Sequence, residues 1–76
     1  MEKQKISKIN EFLQNKLKRE NIKEVTAVQA AKWLDMADLL RDSEYRRGLP
    51  LRNLLRAGKI IGQRQESNGR WFIDQI

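Results

Sequence analysis

The sequence predicts a small, mainly α domain that ends in a β-hairpin: three main helices followed by a C-terminal pair of strands. Three observations carry this reading. Apolar residues recur every three or four positions through the first half of the chain. A short segment opens at Pro50 and stops at Gly58, which suits a brief helix with proline in its first turn and glycine past its end. Two stretches then flank Ser67-Asn68-Gly69, and Asn-Gly is the preferred pair in a tight hairpin turn.

The first helix is expected over residues 4–20. Ile6, Ile9, Leu13 and Leu17 form its apolar stripe, with Phe12 beside them, and Asn21 is its stop. Lys23-Glu24-Val25 is a short extended link that can add an edge strand to a later sheet. The second helix has the clearest start: Thr26 followed by Gln29 fits a capping box, with Val25 as the staple residue. Ala30, Ala31, Trp33 and Leu34 then read as core. Met36, Leu39 and Leu40 suggest one further helical turn packed inward, and residues 42–48 read as loop. In the third helix Leu51, Leu54 and Leu55 face the core, leaving Arg52, Asn53 and Arg56 on the other face.

The strands are expected at 60–65 and 70–74. With Asn68-Gly69 as a two-residue turn, Ser67 pairs with Arg70, Gln65 with Phe72 and Gln63 with Asp74. Trp71 and Ile73 share one face and Phe72 takes the other, with Trp71 expected in the core.

Composition bounds the function. At 76 residues the chain is a single domain with one small core. It contains no cysteine and no histidine, so it lacks disulfides, thiolate ligands, and the commonest general base and metal ligand. Asp35, Asp38, Asp42 and Glu44 lack the central glycine and terminal glutamate of a calcium loop. No enzyme activity, metal, cofactor or small-molecule substrate is expected. No apolar run approaches a membrane span or a signal peptide, so a soluble, cytoplasmic chain is expected.

The charge is unevenly placed. Between Arg46 and Arg70 lie six arginines and one lysine against one acid, Glu66, which accounts for the whole net charge of +6. The other nine bases are matched by nine acids. A concentrated basic region is the footprint of a polyanion partner.

The order of these parts resembles a known family. Thr26-x-x-x-Ala30-Ala31-x-x-Leu34 opens one helix, Arg52-x-Leu54-Leu55-Arg56-x-Gly58-Lys59-Ile60 closes another and enters a strand, and Gly69-Arg70-Trp71-x-Ile73 finishes a hairpin. Together they are similar to the excisionase-type, or MerR-like, winged helix-turn-helix DNA-binding domains, over residues 25–73. The chain departs from that family in two respects: a long connection replaces the tight inter-helix turn, and an extra helix precedes the motif. The resemblance implies double-stranded DNA as partner, with one helix in the major groove and the hairpin wing on backbone or minor groove. It also implies a role in recombination or transcription control of a mobile element or prophage.

On that reading Arg52, Asn53 and Arg56 face DNA from the helix, since Arg bonds guanine and Asn bonds adenine bidentately. Backbone amides near Leu51 and Arg52 are also open to a phosphate. Lys59, Arg64, Asn68 and Arg70 belong to the wing and mostly touch phosphate. Arg41, Arg46 and Arg47 in the connection either add phosphate contacts or sit in solvent. The N-terminal helix is expected to cover the core, or to pair with its copy in a homodimer. Three alternatives stand beside DNA binding: a protein-interaction module using the N-terminal helix and the Trp71 edge, an RNA-binding domain, and a domain excised from a larger protein.

Overall fold

The structure is a computed structural model and describes residues 2–76, with side chains from Lys5 onward. Its elements run α1 (Glu2–Arg19), β1 (Glu24–Thr26), α2 (Ala27–Met36), α3 (Leu49–Arg56), β2 (Gln63–Gln65) and β3 (Trp71–Asp74). It is thus a small α/β domain of three helices and a three-stranded antiparallel sheet in the order β1-β3-β2. The extended link before α2 does become an edge strand, so the hairpin is part of a sheet rather than a free pair of strands. Among the described residues no helix is long and apolar enough to cross a membrane.

Local chemistry explains each helix boundary. Thr26 caps α2, its Oγ1 accepting from the Gln29 amide at 3.2 Å. All three helices end in the same way, with a left-handed residue one place beyond the cap: Asn21 (φ 56°), Asp38 (φ 59°) and Gly58 (φ 71°). In each case two amides fold back on the last turn. Ile22 bonds Leu17 and Asn21 bonds Lys18; Leu39 bonds Leu34 and Asp38 bonds Asp35; Lys59 bonds Leu54 and Gly58 bonds Leu55, all at 2.8–3.2 Å. This is the Schellman arrangement, and it satisfies carbonyls that a helix end leaves open. The Asp38 stop corrects the expectation of another helical turn. Met36 is exposed, while Leu39 and Leu40 still pack against the core from the connection.

The core is formed by Ile9, Leu13 and Leu17 of α1, Ala27, Ala30, Ala31 and Leu34 of α2, and Leu51 and Leu55 of α3, closed by Val25, Ile60 and Ile73. The small residues of α2 allow its neighbours to approach closely. Trp33 and Trp71 are half-buried at the core margin, and Lys16 lies 5.0 Å over the Trp33 ring. Burying each large aliphatic side chain contributes about 1.5–3 kcal/mol.

The hairpin register corrects the sequence reading by one residue. Gln63 pairs with Ile73, Arg64 with Phe72 and Gln65 with Trp71. The turn is a three-residue loop, 67–69, closed by Gly69 N–H donating to Glu66 O and Glu66 N–H to Arg70 O, each at 2.8 Å. Gly69 alone takes the left-handed conformation, at φ 86°, which identifies a type I turn followed by a glycine bulge. A one-residue slip moves side chains to the opposite face. Gln63 consequently turns inward with Val25 and Ile73, and Arg64 lies outward with Glu24, Phe72 and Asp74.

Two amides of α1 fasten the base of this sheet. Asn10 donates to Lys59 O at 3.0 Å and accepts from Ile61 N–H at 2.9 Å. Gln14 donates to Ile61 O and Asp74 O at 3.2 and 2.9 Å and accepts from Ile76 N–H at 3.1 Å. Both side chains are buried. Gly62 sits beneath them at φ 83°, where a Cβ would collide with the Asp74 carbonyl and with Gln14 Nε2.

Gly62→Ala should therefore lower stability by at least about 2 kcal/mol, from left-handed strain plus the clash. Gly69→Ala, with open space around its Cβ, should cost about 1 kcal/mol. Urea denaturation compares them, and equal losses would contradict the packing described. Asp38→Gly should raise stability by about 0.5–1 kcal/mol, by relieving a left-handed aspartate and removing an anion from a helix C-terminus.

Candidate nucleic-acid interface

The third helix presents two unlike flanks. Leu51 and Leu55 are buried and Leu54 is half-buried against the core. At 3.6 residues per turn, Arg52, Asn53 and Arg56 fall within an arc of about 100° on the opposite side. Asn53 and Arg56 are exposed there and Arg52 is partly buried. The helix begins at Leu49, so Pro50 is its second residue. The Arg52 amide donates to Gly48 O at 2.9 Å. It is therefore not the open phosphate donor that a helix starting at Pro50 implies.

Between this helix and the tip of the hairpin lies an open groove of about 360 Å³. Arg52 forms one wall, Asn68, Gly69 and Arg70 form the other, and Thr26, the cap of α2, and Val28 in its first turn line it between them. Asn68 holds the tip in shape, its Oδ1 accepting from Arg70 N–H at 3.0 Å. Val28 is half exposed although it lies in a core-facing helix. Arg52 Nε is shielded from solvent and has no hydrogen-bond partner, while its Nη2 reaches Arg47 O only at 3.5 Å. Sequence reasoning missed Thr26 and Val28 as lining residues. The available signal was that Val28 falls off the Ala27-Ala30-Ala31-Leu34 stripe.

The other residues expected at the site do not all gather here. Arg46 and Arg47 are exposed in the connection leading into α3. Lys59 lies on the far flank of α3, at the rim of a separate apolar groove of about 290 Å³ lined by Ile6, Ile9, Leu40, Pro50 and Leu54. Arg64 is held on the outer face of the sheet by three carboxylates: Asp74 and Glu66 at 3.0 Å, and Glu24 at 3.0 Å. Its guanidinium also lies 4.8 Å over the Phe72 ring. The hydrogen bond to Asp74 is the main cause that holds Arg64 still more firmly in its charged form.

Arg64 and Glu66 thus answer each other, leaving Arg46, Arg47, Arg52, Arg56, Lys59 and Arg70 as the excess cations of the segment. Among the described residues none of these six has a carboxylate within ion-pair distance. No cluster of three or more candidate metal ligands occurs among the described residues.

Arg64→Gln removes one cation from among three acids. It should lower the melting temperature at low salt, and the loss should shrink as salt screens the remaining carboxylates from one another. Thermal scans at two ionic strengths check this; a salt-independent loss would assign Arg64 a packing role instead.

Comparison of the chain with protein-family models, with curated proteins and with solved structures finds no match.

Proposed function

We propose that the chain binds double-stranded DNA in the manner of a winged helix-turn-helix, with α3 as the reading helix and the β2–β3 hairpin as the wing. The observation that carries this is the groove between them, walled by Arg52 on the helix and Arg70 on the hairpin. Arg52, Arg56 and Arg70, with Arg46 and Arg47 in the connection leading into α3, have no acid partner among the described residues. Phosphate neutralisation supplies most of the affinity and makes it fall steeply with salt. Arg52, Asn53 and Arg56 supply base-edge contacts, and Arg46, Arg47, Asn68 and Arg70 supply backbone contacts. Arg64 is left out of the contact set because its charge is already answered. The resemblance to excisionase-type domains extends the reading to recombination or transcription control of a mobile element or prophage.

A second reading has its own support. The apolar groove between α1 and α3 carries two lysines, Lys5 and Lys59, at its edge. A protein-interaction module would use that groove and leave the arginines to solvent.

Fluorescence anisotropy with a labelled random-sequence duplex at two salt concentrations separates the readings. Arg52→Ala and Arg70→Ala should each weaken binding by about tenfold, and Arg70→Ala should also reduce the salt slope by about one. Arg64→Gln and Lys32→Ala should leave it close to wild type. Losses that are equal for all four substitutions, or no binding at low salt, would overturn the DNA reading.

A further inference from the structure

The connection between α2 and α3 is where the chain departs most from a tight helix-turn-helix, and it is far from featureless. Asp42 Oδ1 accepts from Ser43 N–H at 2.9 Å and from Gly48 N–H at 2.8 Å, bridging the two ends of the loop. Asp35 Oδ1 accepts from Asp42 N–H at 3.3 Å and ties that bridge to the end of α2. Ser43 Oγ accepts from Arg46 N–H at 3.1 Å, and Leu49 N–H donates to Arg46 O at 3.1 Å. Gly48 is buried against Val28 of the groove. The loop therefore has a defined shape, and its last residues lie beside the candidate interface.

At its apex this loop displays Tyr45, 93% exposed, next to exposed Arg46 and Arg47. Tyrosine carries a large apolar ring and a hydroxyl that pairs well with an acceptor, so a fully exposed tyrosine on an ordered loop is suited to an interface. The two arginines beside it specify an anionic partner, and Arg47 O approaches the Arg52 guanidinium, which faces the groove. Glu44, also exposed, opposes an anion on the other side of Tyr45. The contact is therefore local to Tyr45-Arg46-Arg47.

We infer that residues 42–48 form a second DNA-contact element, in which the Tyr45 hydroxyl donates to a backbone phosphate outside the span covered by α3 and the hairpin. This rests on the DNA-binding reading above. Tyrosine hydroxyls are among the groups that bond phosphate oxygens and so fix register on a duplex. The element lengthens the footprint and adds no base reading of its own.

Tyr45 is the sole tyrosine in the chain, so uniform incorporation of 3-fluorotyrosine gives one 19F resonance that reports this loop alone. Titration with the random-sequence duplex should shift or broaden that line. Tyr45→Phe should weaken binding by about fivefold or more, as expected for losing a hydrogen bond to a charged group. Tyr45→Ala should weaken it at least as much, and both variants should keep the wild-type unfolding midpoint because the side chain packs on nothing. If the duplex binds and depends on Arg52 while the 19F line stays put and Tyr45→Phe binds as wild type, the loop element is overturned and the DNA reading stands. If Tyr45→Ala weakens binding and Tyr45→Phe does not, the phosphate bond is overturned. If the wild type fails to bind duplex at low salt, both fall together.

Discussion

The position of the hairpin depends on two buried amides. Asn10 and Gln14 lie one turn apart on α1, and between them they make five hydrogen bonds to the backbone at residues 59, 61, 74 and 76. All five join parts of the chain separated by 47 residues or more. They hold both legs of the hairpin, the segment leaving α3 and the end of β3, against a single helix. Backbone groups pulled from water must find partners, and an unpartnered one costs about 1–3 kcal/mol. The clamp therefore stabilises the sheet and fixes its placement at once. The N-terminal helix is what orients the hairpin relative to α3. Of its apolar stripe Ile9, Leu13 and Leu17 are buried within its own chain, and Ile6 is partly buried at the groove against α3.

The same logic continues through Gln63. Its Nε2 donates to Leu55 O at 2.7 Å and its Oε1 accepts from Ile60 N–H at 3.1 Å. One side chain thus joins the last turn of α3 to the first residue of β2. The hairpin that forms one wall of the groove is held to α1 and α3 by polar clamps to backbone, while the walls themselves carry Arg52 and Arg70. The groove can consequently be charged without its shape depending on those charges.

Much of the fold was legible because helix ends are written in local chemistry. Thr26, Asn21 and Gly58 each act through their own backbone or the next turn, and each stands where its type implied. Asp38 was harder to read, since aspartate takes the left-handed conformation seldom enough that Leu39 and Leu40 argued for more helix. The register was lost for a different reason. Asn-Gly serves both a two-residue turn and the end of a three-residue loop, and only the pairing across β2 and β3 decides between them. The roles of Gln14 and Gln63 were not legible either: a Gln on a strand or helix looks solvent-facing until backbone groups from distant segments meet it, and no local pattern announces that meeting. For the candidate interface, the cations were visible as a cluster in the chain, but their grouping was not. Arg64 and Lys59 sit close to Arg70 and Arg56 in sequence and yet neither lines the groove, because three carboxylates hold Arg64 and the helix exit carries Lys59 to the far flank of α3.

Six like charges within 25 residues repel one another, and a core this small has little stability in reserve. The chain relieves the repulsion where the sheet is closest and keeps it where α3 meets the hairpin. On the outer face Arg64 is surrounded by Glu24, Glu66 and Asp74, which brings β1, β2 and β3 together with their charges answered. Around the groove no acid among the described residues performs that service for Arg52, Arg56 or Arg70. An unanswered guanidinium whose Nε is already shielded from water has lost part of its hydration, so an anionic acceptor arriving there restores hydrogen bonding and relieves repulsion in one step. Stability and binding then draw on different parts of the molecule. Solvent-hidden amides and answered charges hold the fold, and the unanswered charges that strain it are the ones a polyanion would neutralise.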